Sequence, residues 1–213
     1  MTLKEHIYFK KMQIKKWFGK VTVNDLHEHW RYPDKANKPE DYLKPLERSE
    51  FLYKQIKDFI PHHAKILELG CNVGRNLAYL RDRGYSNLAG IEINHDAIAL
   101  GTHKGNFGYI TVIESSIEDY FKPMRLGFDL IFTMAVLEHL HPKSEHIFRD
   151  MARASKYILT IEDEASKSFQ HMPRNYKTIF ENLGMAQMKI ENCNHVFPGK
   201  QMMMRLFEKD FLY

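Results

Sequence analysis

The sequence predicts an α/β fold, a three-layer arrangement in which helices cover both faces of a seven-stranded, mostly parallel sheet. Three observations carry that expectation. Five short apolar runs are rich in branched residues, and segments of helical periodicity separate them; alternation of this kind builds a parallel sheet. The last two strand-like runs have only a loop around Pro198-Gly199 between them, which makes them an antiparallel C-terminal hairpin.

Residues 1–20 carry six lysines (4, 10, 11, 15, 16 and 20) against Glu5, a net of +5, which leaves −1 for the rest of a chain whose formal charge is +4. Ile7, Tyr8, Phe9, Met12, Ile14, Trp17 and Phe18 lie among those lysines, so the segment reads as a basic helix. It would either pack on the body or meet an anionic membrane or RNA surface. From Asn24 to Pro45 the chain is polar and holds Pro33, Pro39 and Pro45; one regular element is not expected there, and the stretch reads as a structured loop or lid. Residues 1–46 are therefore taken as a helical N-terminal extension and residues 47–213 as the main domain. Glu47 to Phe59 is helical, with Phe51, Leu52, Ile56, Phe59 and Ile60 at helical spacing and Pro61 as its stop. The parallel strands follow at Ala64 to Leu69, Leu88 to Ile93, Tyr109 to Ile113, Phe128 to Thr133 and Tyr157 to Ile161. Helices fall between them, at Asn76 to Arg83, Asp96 to Lys104, Ile117 to Phe121, Ser144 to Ala154 and Asn175 to Leu183. Ala186 to Glu191 and Met202 to Glu208 form the hairpin.

Composition excludes several classes. With 213 residues there is length for one core of this kind and little for a second, and 44% hydrophobic with 13% aromatic residues argues against disorder. No run of about 18 apolar residues exists to span a membrane, and the start of the chain lacks the pattern of a secretory signal. Cys71 and Cys193 are the only cysteines and have no spaced partners for a zinc site. A reducing cytoplasm is the expected location, as a monomer or homodimer, and no metal ligands are assigned.

Ile66-Leu67-Glu68-Leu69-Gly70-Cys71-Asn72-Val73-Gly74-Arg75-Asn76 reads as a buried strand, a glycine turn and a helix start, where a ligand can approach the backbone closely. Taken alone, such a turn is equally well a packing device, and the dinucleotide fingerprint is not matched. Glu68 shifts the balance, because an acid ending an apolar strand repels a pyrophosphate but suits a cofactor carrying an ammonium and a sulfonium. Glu92 ends the next strand, 22 residues after Gly70, where a carboxylate accepts hydrogen bonds from a ribose diol. Glu114-Ser115-Ser116-Ile117-Glu118-Asp119 after the third strand offers an apolar side chain among polar ones, which suits an adenine or, equally, a capped helix start.

With these motifs in this order, the chain resembles the class I, Rossmann-like S-adenosylmethionine-dependent methyltransferases of the small-molecule type, over about Glu47 to Glu208. Glu-Leu-Gly-Cys-Asn-Val-Gly looks like their first motif, and Phe128 to His139 like their fourth strand and the loop after it. Asn72 stands where the family usually has glycine. The resemblance implies S-adenosylmethionine as cofactor, released as S-adenosylhomocysteine. Its expected contacts are Glu68, Gly70, Cys71, Asn72, Gly74, Asn76, Glu92, Ile93, Ser116, Ile117 and Thr133, with Arg48 on the preceding helix pairing with the methionine carboxylate.

Methyl transfer is an in-line displacement that positioning alone accelerates strongly, and a base matters chiefly for hydroxyl or ammonium acceptors. His139 and Glu138, just after strand four, are the candidates for base or acceptor contact. After strand five, Glu162-Asp163-Glu164 sets three acids in a row, which a divalent metal, a substrate amine or Arg174 would compensate. Glu162 and Asp163, with His171, Arg174 and Tyr176 from the following loop, are the expected acceptor contacts. His27, His29, Trp30, Arg31 and Tyr32 form a possible lid. The expected acceptor is a small polar molecule methylated on oxygen or nitrogen, with a sugar or surface-glycan precursor in view. RNA or protein methylation and a non-catalytic cofactor-binding subunit stay open as alternatives. The Asn-Pro-Pro-aromatic string of amino-nitrogen methylation is absent.

Overall fold

The computed structural model describes residues 6–7, 10–12, 14–15, 21–32, 37–122, 127–168 and 170–210. Its elements in chain order are α1 (Val23–Arg31), a 3-10 turn (Pro39–Tyr42), α2 (Leu46–Ile56), β1 (Lys65–Leu69), α3 (Arg75–Arg81), β2 (Asn87–Glu92), α4 (His95–His103), β3 (Thr111–Glu114) and α5 (Ile117–Phe121). There follow β4 (Phe128–Met134), 3-10 turns at Leu137–His139 and Pro142–Ser144, α6 (His146–Ala154), β5 (Ser155–Asp163), α7 (Tyr176–Glu181), β6 (Met185–Asn192) and β7 (Met202–Lys209).

The seven strands form one sheet in the order β3-β2-β1-β4-β5-β7-β6. β1 to β5 are parallel, and β7 lies antiparallel to both β5 and β6, as expected. The central strands are apolar along their length because each feeds two cores by alternation. Ile66, Leu130, Phe132, Leu159 and Ile161 face one core with Leu52 and Ile56 of α2 and Leu77 and Leu80 of α3. Leu67, Leu69, Ile91, Ile131 and Ile158 face the other, with Ile117 of α5, Phe148 and Met151 of α6 and Phe180 of α7. Chain order reverses between β1 and β4, and in sheets of this kind the crevice at that switch point, outside the carboxyl ends of the strands, is where ligands bind.

The lead-in departs from expectation, because Val23–Arg31 is a helix inside the stretch read as loop. Thr22 and Asp25 form a reciprocal cap: Asp25 N donates to Thr22 Oγ1 at 3.1 Å, and Thr22 N donates to Asp25 Oδ2 at 3.0 Å. The prolines all come after it. Of the basic segment, Met12 is buried with Val21 and Leu26 against Met172, and Lys15 Nζ lies 2.6 Å from Asp25 Oδ1; Lys4, Tyr8, Phe9, Lys16, Trp17, Phe18 and Lys20 lie outside the described residues. No described helix is long and apolar enough to cross a membrane.

Candidate active site

The carboxyl ends of β1, β2 and β4, the turns after them and α1 enclose a cleft with about 1110 Å³ of empty space, its open mouth included. Glu68, Gly70, Cys71, Asn72, Asn76, Glu92, Ile93, Ser116, Ile117 and His139 all line it, so ten residues singled out from the sequence converge on one space.

Glu68 lies on the same face of β1 as Ile66 and is held under α3. Its Oε1 accepts from Asn76 Nδ2 at 2.7 Å, while Oε2 is buried with no hydrogen-bond partner. Burial, only partly offset by Asn76 and Arg75, pushes its carboxyl up to about 8. Ser49 Oγ donates to Asn76 Oδ1 at 2.7 Å and accepts from Arg75 Nε at 3.1 Å, so α2 braces this network from behind. Arg75 lines the cleft and also donates to the carbonyls of Tyr42 and Lys44, at 3.3 and 3.4 Å. Burial lowers its guanidinium to about 10 despite the attraction of Glu68.

Glu92 is oriented by backbone. It accepts from Asn72 N at 2.8 Å, Ile93 N at 2.9 Å and Asn94 N at 2.8 Å, and through Asn72 it ties the β1 turn to β2. Gly70 and Gly74 sit at φ +68° and +74°, and a Cβ on Gly74 would come within 2.2 Å of the Phe107 ring. Asn72 takes φ 47° and stabilises the turn by accepting from Val73 N at 2.9 Å through its own Oδ1. After β3, Ser116 caps α5, accepting from Asp119 N at 3.1 Å.

The opposite end of the cleft is built after β4, where Ala135 is held at φ 56°. His139 Nδ1 lies 2.7 Å from the carbonyl of Gln170; a carbonyl only accepts, so Nδ1 carries the proton. Burial keeps this ring neutral, lowering it to about 4. Glu138, 1% exposed, accepts a short bond from Asp163 N through Oε2. Its Oε1 lies 3.4 Å from Nε2 of both His139 and His171. Burial acts to raise Glu138, but the two histidines and the Asp163 N–H hold it below the usual carboxylate range. α1 forms the roof: His27 Nε2 lies 3.0 Å from Glu118 Oε2, His141 Nε2 is 2.9 Å from the Val21 carbonyl, and the rings of Trp30 and His139 are 4.4 Å apart.

Several expected contacts take other positions. The Arg48 guanidinium lies 4.6 Å from the Phe197 ring centroid, off the cleft lining, whereas Arg75 is in that lining. Thr133 is fully buried in β4 beneath the lining. Arg174 does not compensate the three acids; it donates to the carbonyls of Leu137, Met172 and Leu140 at 3.1, 3.0 and 2.7 Å, clamping the loop after β4. Tyr176 sits in the core beside Phe148. The acids themselves separate. Glu162 accepts from Val136 N at 2.9 Å and Glu138 N at 3.2 Å, and burial next to Glu138 pushes it up to about 8. Asp163 accepts from Ala165 N and Ser166 N, and Glu164 grips Arg205 at 2.6 and 2.8 Å. Arg75 and Tyr42 went unnoticed in the sequence, although Arg75 directly follows the second glycine of the turn.

The chain's own groups fit S-adenosylmethionine. The buried, unpartnered Glu68 Oε2 suits an ammonium and Arg75 a carboxylate. A family model described as a methyltransferase domain matches residues 27–202, and so begins within α1. No curated protein matches the chain significantly. Among solved structures, a putative sarcosine dimethylglycine methyltransferase from Galdieria sulphuraria is 14% identical, with 92% of this chain and 97% of that one covered at a TM-score of 0.64. A SAM dependent methyltransferase from Archaeoglobus fulgidus is 17% identical, covering 80% and 97% at 0.62, and the PH0226 protein from Pyrococcus horikoshii OT3 is 16% identical, covering 86% and 99% at 0.61. At such identities these structures speak for the fold, and the family match speaks for the chemistry: the chain belongs to the class I S-adenosylmethionine-dependent methyltransferases.

Proposed function

We propose that this enzyme methylates an oxygen or nitrogen of a small polar acceptor, with a sugar or surface-glycan precursor the first class to test. The observation that carries the reading is the roof over the cleft. α1 lies along it with Val23, Leu26, His27 and Trp30 in the lining, held at Glu118 and His139, which favours an acceptor small enough to pass beneath it. Cover of this kind, by limiting the access of water, strengthens each polar contact beneath it.

In this reading Glu68 takes the ammonium of the cofactor, Arg75 its carboxylate and Glu92 the ribose diol, while Ser116 and Ile117 border the adenine. When bound, S-adenosylmethionine supplies an electrophilic methyl group: the acceptor–carbon bond forms, the carbon–sulfur bond breaks with its electron pair kept by sulfur, and the acceptor's proton leaves. The chain's part is to hold the acceptor in line and dry. His139, backed by Glu138 and His171, is the polar group presented at that end.

Turnover against free and nucleotide sugars, small amines and RNA, scored as S-adenosylhomocysteine formed, tests this. Turnover on a sugar or amine that His139→Ala abolishes is the expected result. RNA as the sole substrate, or no turnover despite tight cofactor binding, refutes it in favour of nucleic-acid methylation or a non-catalytic subunit.

A further inference from the structure

We infer that Glu138, His139 and His171 form a binding site for one divalent first-row transition-metal ion at the acceptor end of the cleft. One ligand atom from each side chain lies within 4.8 Å of the others, and Glu138 Oε1 stands 3.4 Å from both Nε2 atoms. Two ligand atoms each about 2.1 Å from one ion, at the tetrahedral angle, are about 3.4 Å apart. Both carboxylate–imidazole spacings therefore already match a shared ion, and closing the third edge needs only a swing of the His171 ring, which sits in a loop.

The outer partners point the same way. Histidines that bind metals are generally held through the other ring nitrogen, which fixes tautomer and orientation. Here His139 Nδ1 is 2.7 Å from the Gln170 carbonyl, and His171 Nδ1 is 2.6 Å from Ser168 Oγ. Glu138 is likewise anchored through Oε2 to Asp163 N, while its buried Oε1 faces both imidazoles. Each of the three is tied at its far atom and turned inward at the near one. His139 Nε2, its proton being on Nδ1, presents a lone pair to a carboxylate oxygen, an arrangement that calls for a cation between them.

Two imidazoles and one carboxylate suit manganese, iron, cobalt or zinc better than magnesium, which prefers oxygen alone. Three protein ligands leave coordination positions open, the mark of sites that bind substrate. Of the three, His139 lines the cleft, and an acceptor oxygen that met the ion from that side would have its hydroxyl made easier to ionise. This narrows the acceptor to a hydroxyl compound and rests on the small-acceptor reading above.

Protein stripped with a chelator is titrated with Co²⁺, followed by visible absorption and by calorimetry, and S-adenosylhomocysteine binding is measured on the same samples. We expect one Co²⁺ per chain, affinity lowered about 100-fold or more in both His171→Ala and Glu138→Gln, and S-adenosylhomocysteine affinity within about twofold of the parent. A titration with no saturable band, or equal Co²⁺ affinity in the parent and His171→Ala, overturns the site. If Glu138→Gln does not fold, His171→Ala decides alone. Loss of S-adenosylhomocysteine binding in the parent would instead refute the cofactor reading, leaving the Co²⁺ titration to judge the metal site by itself.

Discussion

Replacing Glu68 with glutamine tests the cofactor end of the cleft through its pH dependence. In the free enzyme, burial holds the Glu68 carboxyl at about 8, so at neutral pH most molecules carry the proton. A ligand ammonium at the unpartnered Oε2 favours the charged form, so binding must expel that proton. Ionising Glu68 costs about 1.4 kcal/mol at pH 7 and twice that at pH 6. Affinity for S-adenosylhomocysteine should therefore rise about tenfold per unit between pH 6 and 7.5, then turn over above about 8 as the ligand's own amino group, with an ordinary value near 8, loses its proton. Glu68→Gln removes both the cost and the charge, so its profile should be nearly flat over the same window.

Calorimetry in buffers of different ionisation enthalpy reads the released proton directly, and methylthioadenosine, which lacks the ammonium, serves as the control with a flat profile on the parent enzyme. A flat parent profile, or an equal slope in Glu68→Gln, refutes the assignment of Glu68 to the ammonium. Stability follows with a definite sign. Below pH 4.5 the carboxyl is protonated in both states and contributes no pH dependence. Between 4.5 and about 8 the unfolded chain ionises while the fold does not, so Glu68 makes the fold progressively less stable, and the loss levels off above 8.

Other expectations test the rest of the site. Arg75→Ala should weaken S-adenosylhomocysteine binding by about 10–100-fold, the size of a lost charge-assisted contact, whereas Arg48→Ala should change it by less than about threefold; calorimetry showing the reverse order would restore Arg48 to the carboxylate. Gly74→Ala combines a left-handed backbone with a Cβ 2.2 Å from Phe107. Together these cost about 2–5 kcal/mol, a fall of roughly 4–20 °C in Tm for a chain this size, and a Tm within 2 °C of the parent would contradict the packing. Arg174→Ala leaves two carbonyls of the loop after β4 and one of the loop after β5 without their donor and should cost about 2–4 kcal/mol in chemical denaturation with cofactor affinity preserved. Unchanged stability with a raised KM for the acceptor would return Arg174 to the acceptor pocket.

What could be read from the sequence, and what could not, divides along a physical line. The strands were legible because a central parallel strand is buried on both faces and so must be apolar throughout, a property of five or six adjacent residues. Glu68 and Glu92 were legible for the complementary reason: each is a charge that its own apolar neighbourhood cannot explain. α1 was missed because a window from Asn24 to Pro45 averages a capped helix with the proline-bearing chain after it, although Thr22 and Asp25 carry the capping-box signature three residues apart.

The roles of Arg48, Arg75 and Arg174 were not legible, because an arginine's role is decided by which distant group meets its guanidinium. Phe197, from the loop between β6 and β7, draws Arg48 away, and Ser49 with the Tyr42 and Lys44 carbonyls positions Arg75 in the cleft. The same holds for the acids after β5. Three adjacent carboxylates read as one electrostatic problem, but alternation along the strand separates them: Glu162 goes to the backbone after β4, Asp163 to its own turn and Glu164 to Arg205 of β7. Hence the acid whose buried oxygen lies between two imidazoles is Glu138, four residues past β4. It becomes conspicuous only once the fold has brought His171 to it, and that contact, not the acidic run, marks where added positive charge is needed.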